Sequence, residues 1–162
     1  MSQKIIKRRR NSLRLKEFDY TSEGYYFVTI NCIGEKNYFE KEKAKWIVKR
    51  QIANLENRFD LLIDCFTIMP DHIHLIIVFD KAKNVSLSKV VQAFKSLVAK
   101  DFRERFDIKE KFWQRGFYDH IIRNEKDYIE KKGYILNNVL KKELADLNQQ
   151  MMKRMVSRRG GA

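Results

Sequence analysis

Apolar and polar positions alternate with two different periods along this chain. Residues 25–32 alternate strand-fashion, with Tyr26, Val28, Ile30 and Cys32 on the more apolar face. Phe27, Thr29 and Asn31 make a mixed face suited to bordering a polar site, and Gly34 ends the strand. From residue 40 to 59, Ala44, Val48, Ile52, Leu55 and Phe59 recur at helical spacing with Ile47 beside them and Lys and Arg opposite. Residues 61–68 and 72–79 read as two strands joined by a short turn at Pro70, a hairpin. Ser86 is a candidate N-cap. After it, Leu87, Val90, Val91, Phe94, Leu97, Val98 and Phe102 trace the clearest amphipathic helix. Residues 117–122 read as a fourth strand. Asn124, with Asp127 three positions on, predicts the start of a last helix running from about residue 125 to beyond 139. Residues 151–162 are basic, end in Gly-Gly-Ala and are expected to fray.

The order strand, helix, strand, strand, helix, strand is the split βαβ pattern of an α+β, ferredoxin-like fold. It predicts one domain over residues 1–162. An antiparallel sheet carries two helices on one face, and the last helix is free to cover the other. Alternation along the third strand points His72 and His74 the same way, onto that second face, while Ile73, Leu75 and Ile77 point into the core. The pattern sets Cys32 and Cys65 two strands apart, roughly 9–10 Å. That is beyond the reach of a disulfide, whose Cα atoms lie within about 7 Å.

Charge changes the picture more than composition does. The chain has 34 basic and 21 acidic residues, a net +13, which points to a polyanion, with nucleic acid ahead of anionic membrane. Residues 1–16 hold Arg8, Arg9, Arg10 and Arg14 and no acid, the composition of a flexible arm that meets phosphates. Lys95 lies on the basic outer face of the second helix, a face that is either solvated or turned to DNA. No apolar run approaches the roughly 20 residues of a bilayer span, and no secretory signal is visible, so the expected setting is cytoplasmic.

Two of the three histidines are separated by a single apolar residue at the mouth of a buried strand. They read either as polar residues at a strand entrance or as a bidentate grip on a divalent metal. On the last helix, Tyr134 and Asn138 are four apart and share a face. Tyr134 is either half-buried packing or a nucleophile. Gly133 beside it permits close approach of DNA or a strand. In the functional reading the metal, Mg²⁺ or Mn²⁺, polarises a phosphodiester, Tyr134 attacks phosphorus, and Asn138 adds an oxygen ligand.

Several segments together resemble one family. They are residues 8–15 followed by Asp19-Tyr20, residues 26–30, Met69-Pro70-Asp71-His72-Ile73-His74, residues 113–124, and Tyr134-Ile135-Leu136-Asn137-Asn138. The chain resembles the REP-associated tyrosine transposases, relatives of the HUH insertion-sequence transposases that move single-stranded DNA. The resemblance implies a divalent metal on His72 and His74, Tyr134 as nucleophile, a 5′-phosphotyrosine link and a released 3′-OH. It implies recognition of hairpins with a flanking guide tetranucleotide, in a bacterial, nucleoid-associated setting. Arg115 and Arg123 fall in matching segments and are expected DNA contacts. His120 also matches, as a structural or DNA-contacting residue. Family members usually follow the asparagine with proline; here Val139 stands, so the helix is free to continue. Relatives occur as monomers and as homodimers that share active sites, and either is expected. The competing reading is a non-catalytic module that binds single-stranded DNA or RNA by stacking on an open sheet.

Overall fold

A computed structural model describes residues 18–159, so Arg8, Arg9, Arg10 and Arg14 lie outside the described residues. The elements are β1 (Gly24–Asn31), α1 (Glu42–Phe59), β2 (Leu62–Ile68), β3 (His72–Phe79), α2 (Leu87–Phe106), β4 (Tyr118–Ile122) and α3 (Glu125–Arg159). The four strands form one antiparallel sheet in the order β2-β3-β1-β4, the ferredoxin-like arrangement. Among the described residues no helix is long and apolar enough to cross a membrane.

Strand alternation decides what each face buries. Tyr26, Val28 and Ile30 of β1 and Ile73, Leu75 and Ile77 of β3 enter one cluster with α1 and α2, including Ile47, Leu55, Phe94 and Phe102. The two helices are tied where Gln51 Nε2 donates to Asp101 Oδ2 at 2.6 Å, with Arg50 paired to the same carboxylate. The opposite face holds a smaller cluster of Phe27, Ile76, Val78 and Ile122, closed by Ile135 of α3.

At Asp64 the β2–β3 register shifts, a β-bulge. A bulge places two consecutive residues on one side of a strand. Ile63 accordingly packs in the large core, while Cys65 packs against the α3 side. Asp64 accepts there from Tyr128 Oη at 3.0 Å and from Lys132 Nζ at 3.1 Å. The start of α3 is capped as the sequence predicts: Asn124 Oδ1 accepts from the Asp127 N–H at 2.9 Å. Asp127 Oδ2 in turn accepts from the Arg123 N–H at 3.3 Å.

The far end of α3 corrects one expectation. Residues 151–159 are helical rather than frayed. Nothing between Val139 and Arg159 breaks a helix: Gly and Pro are absent there. A Cβ at Gly133 would meet nothing within 4 Å among the described residues, so of the two alternatives, DNA or a strand, no described strand takes up the space. Both cysteines are free thiols.

Candidate active site

The hairpin turn before β3 is clamped by backbone bonds. Met69 N–H donates to His72 O at 2.9 Å, Cys32 N–H to Asp71 O at 2.8 Å, and Phe39 N–H to Pro70 O at 2.9 Å. This clamp holds the Asp71 carboxylate against His72, with Nδ1 to Oδ1 at 2.6 Å. An ionised carboxylate only accepts, so Nδ1 carries the proton, and Nε2 is the ring atom left to offer a lone pair. Two residues on, His74 Nδ1 lies 2.8 Å from Thr29 Oγ1, its register partner on β1. Phe27 stacks on the His74 ring, with centroids 5.4 Å apart.

His74 is only 5% exposed. Burial, with His72 beside it as the smaller cause, pushes its pKa down to about 4, so the ring is neutral at physiological pH. Its Nε2 is buried and has no hydrogen-bond partner among the described residues. A buried polar atom left unpaired is costly, and a ligand that accepts a nitrogen lone pair would remove that cost. The two imidazoles face each other edge-on with centroids 4.8 Å apart. They therefore fit a divalent cation. Among the described residues no group of three or more His, Cys, Asp or Glu could hold a metal, so a cation here would need further oxygen ligands.

α3 brings Tyr134 to this pair. The tyrosine ring meets His74 edge-on at 5.2 Å and Phe27 at 6.2 Å. Half of Tyr134 remains exposed, so a large substrate can reach it. Ile135 next to it is fully buried, which fixes the rotation of the helix over the sheet. Asn138 lies one turn further on along α3. It lines an adjoining groove with Met69, Pro70, Lys45, Lys141 and Lys142, a groove that neither histidine lines.

The other candidates scatter. Lys95 Nζ donates to Gln114 O at 2.8 Å and Gly116 O at 2.7 Å, and Trp113 Nε1 returns a bond to Lys95 O at 2.8 Å. Burial and then Lys111 push the Lys95 pKa down to about 8. Most of its donor capacity thus organises the loop before β4, where Gly116 takes a φ of +76°. Arg115, in that loop, is exposed at the histidine end of the sheet, because Gln114 N–H bonds Asn31 O and Asn31 pairs with His72. Arg123 is exposed at the other end, beyond the Tyr25–Ile122 pair, about 20 Å away at strand rise. His120 is paired with Asp127 at 2.8 Å, a β4–α3 clip rather than a third imidazole beside the pair.

Reading the sequence alone misses Asp71 and Thr29 as the residues that orient the two rings. The signal for Asp71 was its place beside His72; the signal for Thr29 was its position on the mixed face of β1. The Asp64–Tyr128–Lys132 clip had no signal, because it depends on the bulge.

The chain is similar to several known proteins. An uncharacterized protein of Haemophilus influenzae is 32% identical over 158 residues, covering 80% of this chain and 87% of its own. A REP-associated tyrosine transposase of Escherichia coli K12 is 24% identical over 122 residues, covering 75% and 70%. Among solved structures, a REP-associated tyrosine transposase bound to a REP hairpin superposes with a TM-score of 0.65 at 22% identity. That match covers 80% of this chain and 74% of the other, and it shows a shared fold. Residues 20–138, from the turn before β1 to the asparagine after Tyr134, match the family described as "Transposase IS200 like", and the chain belongs to that family.

Proposed function

We propose that this protein is a metal-dependent transposase that nicks and rejoins single-stranded DNA at hairpins through a 5′-phosphotyrosine intermediate. The observation that carries the reading is the edge contact of Tyr134 with His74, whose buried Nε2 has no partner among the described residues. Family membership supports the reaction class. The hairpin on the similar structure supports hairpin DNA as the partner.

His72 and His74 would hold the cation through their Nε2 atoms, with Asp71 and Thr29 orienting the rings. Asn138, on the Tyr134 side of α3, is the proposed oxygen donor from the protein. When bound, Mg²⁺ or Mn²⁺ supplies Lewis-acid polarisation and orientation of a phosphodiester. Tyr134 gives its phenolic proton to solvent as its oxygen bonds to phosphorus and the bond from phosphorus to the 3′-oxygen of the preceding nucleotide breaks, and that oxygen takes a proton from solvent to leave as a hydroxyl. Phe27 walls one side of the site and keeps water from it. Arg8, Arg9, Arg10, Arg14, Arg115 and Arg123, and the remaining capacity of Lys95, contact phosphates along the DNA.

The test is a denaturing gel with a labelled hairpin oligonucleotide and Mn²⁺. The wild-type chain is expected to give a denaturant-resistant adduct whose label maps to Tyr134. Tyr134→Phe should give none yet bind the hairpin, and His72→Ala should lose the adduct as chelator does. An adduct at another tyrosine, or full activity in chelator, overturns the assignment. Binding without any adduct favours the stacking module, a reading disfavoured by α3 lying over the sheet face that such a module leaves open.

A further inference from the structure

A cavity of about 560 Å³ lies on the helix side of the sheet, between α2 and the loop that precedes β4. It is across the sheet from His72, His74 and Tyr134. The sequence of α2 explains the space. Ser88, Gln92, Ser96, Ala99 and Arg103 follow one another at intervals of 4, 4, 3 and 4 residues, so they share one face. Ser96 and Ala99 are too short to fill the gap in front of that face. Phe112 and Trp113, both buried in the main core, give the cavity an apolar floor, and Phe117 adds a third ring to its lining.

The loop is fixed before any ligand arrives. Lys95 Nζ holds the carbonyls of Gln114 and Gly116, and Trp113 Nε1 is tied to Lys95 O. Phe112 O accepts from the Ile33 N–H at 3.0 Å. A pocket held open in this way loses little freedom when it is filled.

Charge is the second observation. Lys95, Arg103, Lys111 and Arg115 line the cavity, and no carboxylate does. Lys95 is partly buried, and the charged neighbour that bears on it is another cation, Lys111. Burial and then that cation bring its pKa down to about 8. An anion in the cavity would relieve both. The lining also selects among anions. A free phosphate has no use for an apolar floor. A duplex keeps its bases stacked inside and presents its backbone and base edges instead. An unpaired nucleotide brings a phosphate for the cations and a flat base for the rings, and the Gln92 and Gln114 amides can meet base edges.

Resting on the reading that the substrate is single-stranded DNA, we propose that this cavity takes one unpaired nucleotide of the bound strand, base and phosphate together, on the sheet face opposite the reacting phosphodiester. Arg115 connects the two places. It lines the cavity, and its loop is bonded through Gln114 to Asn31, the register partner of His72. A strand crossing the end of the sheet at Arg115 reaches both.

The test is fluorescence anisotropy of the full chain in chelator, where no strand is cut. The probes are a short labelled single strand, an abasic strand of equal length and charge, and a blunt duplex. The wild-type chain should bind the strand with bases about tenfold tighter than the abasic one. Ser96→Phe fills the cavity and should erase that preference with unchanged circular dichroism and unchanged duplex affinity. If it fails to fold, Ser96→Met replaces it, a good helix former with an adaptable side chain. Arg103→Ala with Lys111→Ala should weaken both single strands and lower the slope of their salt dependence by about 1. A preference that the cavity variant erases supports the proposal even in a chain that forms no Tyr134 adduct, so failure of the catalytic reading is seen apart from failure here. Equal binding of the two strands by the wild type overturns the proposal. So does a preference that survives the cavity variant, as it would if residues 1–17 fill the cavity. An equal loss of strand and duplex binding assigns these cations to a general phosphate surface and overturns it. Uptake of a free deoxynucleoside monophosphate that Ser96→Phe abolishes, with no preference between the strands, assigns the cavity to a soluble nucleotide and overturns it too.

Discussion

The two faces of the sheet are built on different principles. On one, Tyr26, Val28, Ile30, Ile73, Leu75 and Ile77 are sealed by α1 and α2, all essentially inaccessible to water. On the other, Ile135 is the buried apolar anchor of α3. The rest of that attachment combines polar clips, Asp64 to Tyr128 and Lys132, His120 to Asp127, and Lys142 to Ile68 O, with ring-edge contacts of Tyr128 on Tyr25 and of Tyr134 on Phe27 and His74. Apolar burial supplies the stability of the first face. Directional polar clips set the position of α3 on the second, and such a helix is released at lower free energy than α1 or α2. That suits an element whose tyrosine would become covalently attached to DNA.

Breaking the first face should have the largest effect. Phe102 is buried against Phe39, Phe106 and Phe112. Phe102→Ala is expected to cost about 3–5 kcal/mol, read by chemical denaturation. A cost near zero would show that the core is not where stability resides.

The second effect is a pH dependence arising on the second face. In metal-free protein the folded His74 titrates near 4, below its unfolded value near 6.5. Between those values the unfolded chain binds more protons, so stability rises with pH there and is lost as pH falls from about 6.5 toward 4. The loss should be on the order of 1–3 kcal/mol. His74→Asn should flatten that part of the curve in chelator-treated protein. An unchanged slope would assign the effect to other groups.

The smallest effect sharpens the contrast itself. Asp64→Ala removes the acceptor shared by Tyr128 and Lys132 and should cost about 1–2 kcal/mol. Hydrogen exchange should speed up in the first turns of α3 while β3 stays protected. Equal loss in both would mean that the two faces unfold as one unit.

Much of the first face was legible in the sequence, since its helices and strands are written in local periods. The strands of the second face were equally legible, and the mixed character of Phe27, Thr29 and Asn31 marked it as a polar surface. What joins the elements was less so. Lys95 shows why: its place on a basic helix face pointed to solvent or DNA, but the fold bends the loop before β4 back onto it. The end of α3 was also misread, because a Gly-Gly-Ala terminus and a run of basic residues look like fraying while uninterrupted helix formers precede them.

The sequence by itself determined the order of the elements, which residues face the core, and that His72 and His74 point the same way. Each of these follows from the backbone repeat of a strand or helix, which depends on neighbours two to four positions away. Only the tertiary structure decided that Thr29, His74 and Tyr134 meet and that Asp64 sits on a bulge beneath α3. Those outcomes depend on sheet register and on the rotation of α3 about Ile135. Both are set by packing between residues far apart in the chain, and no local pattern encodes that packing.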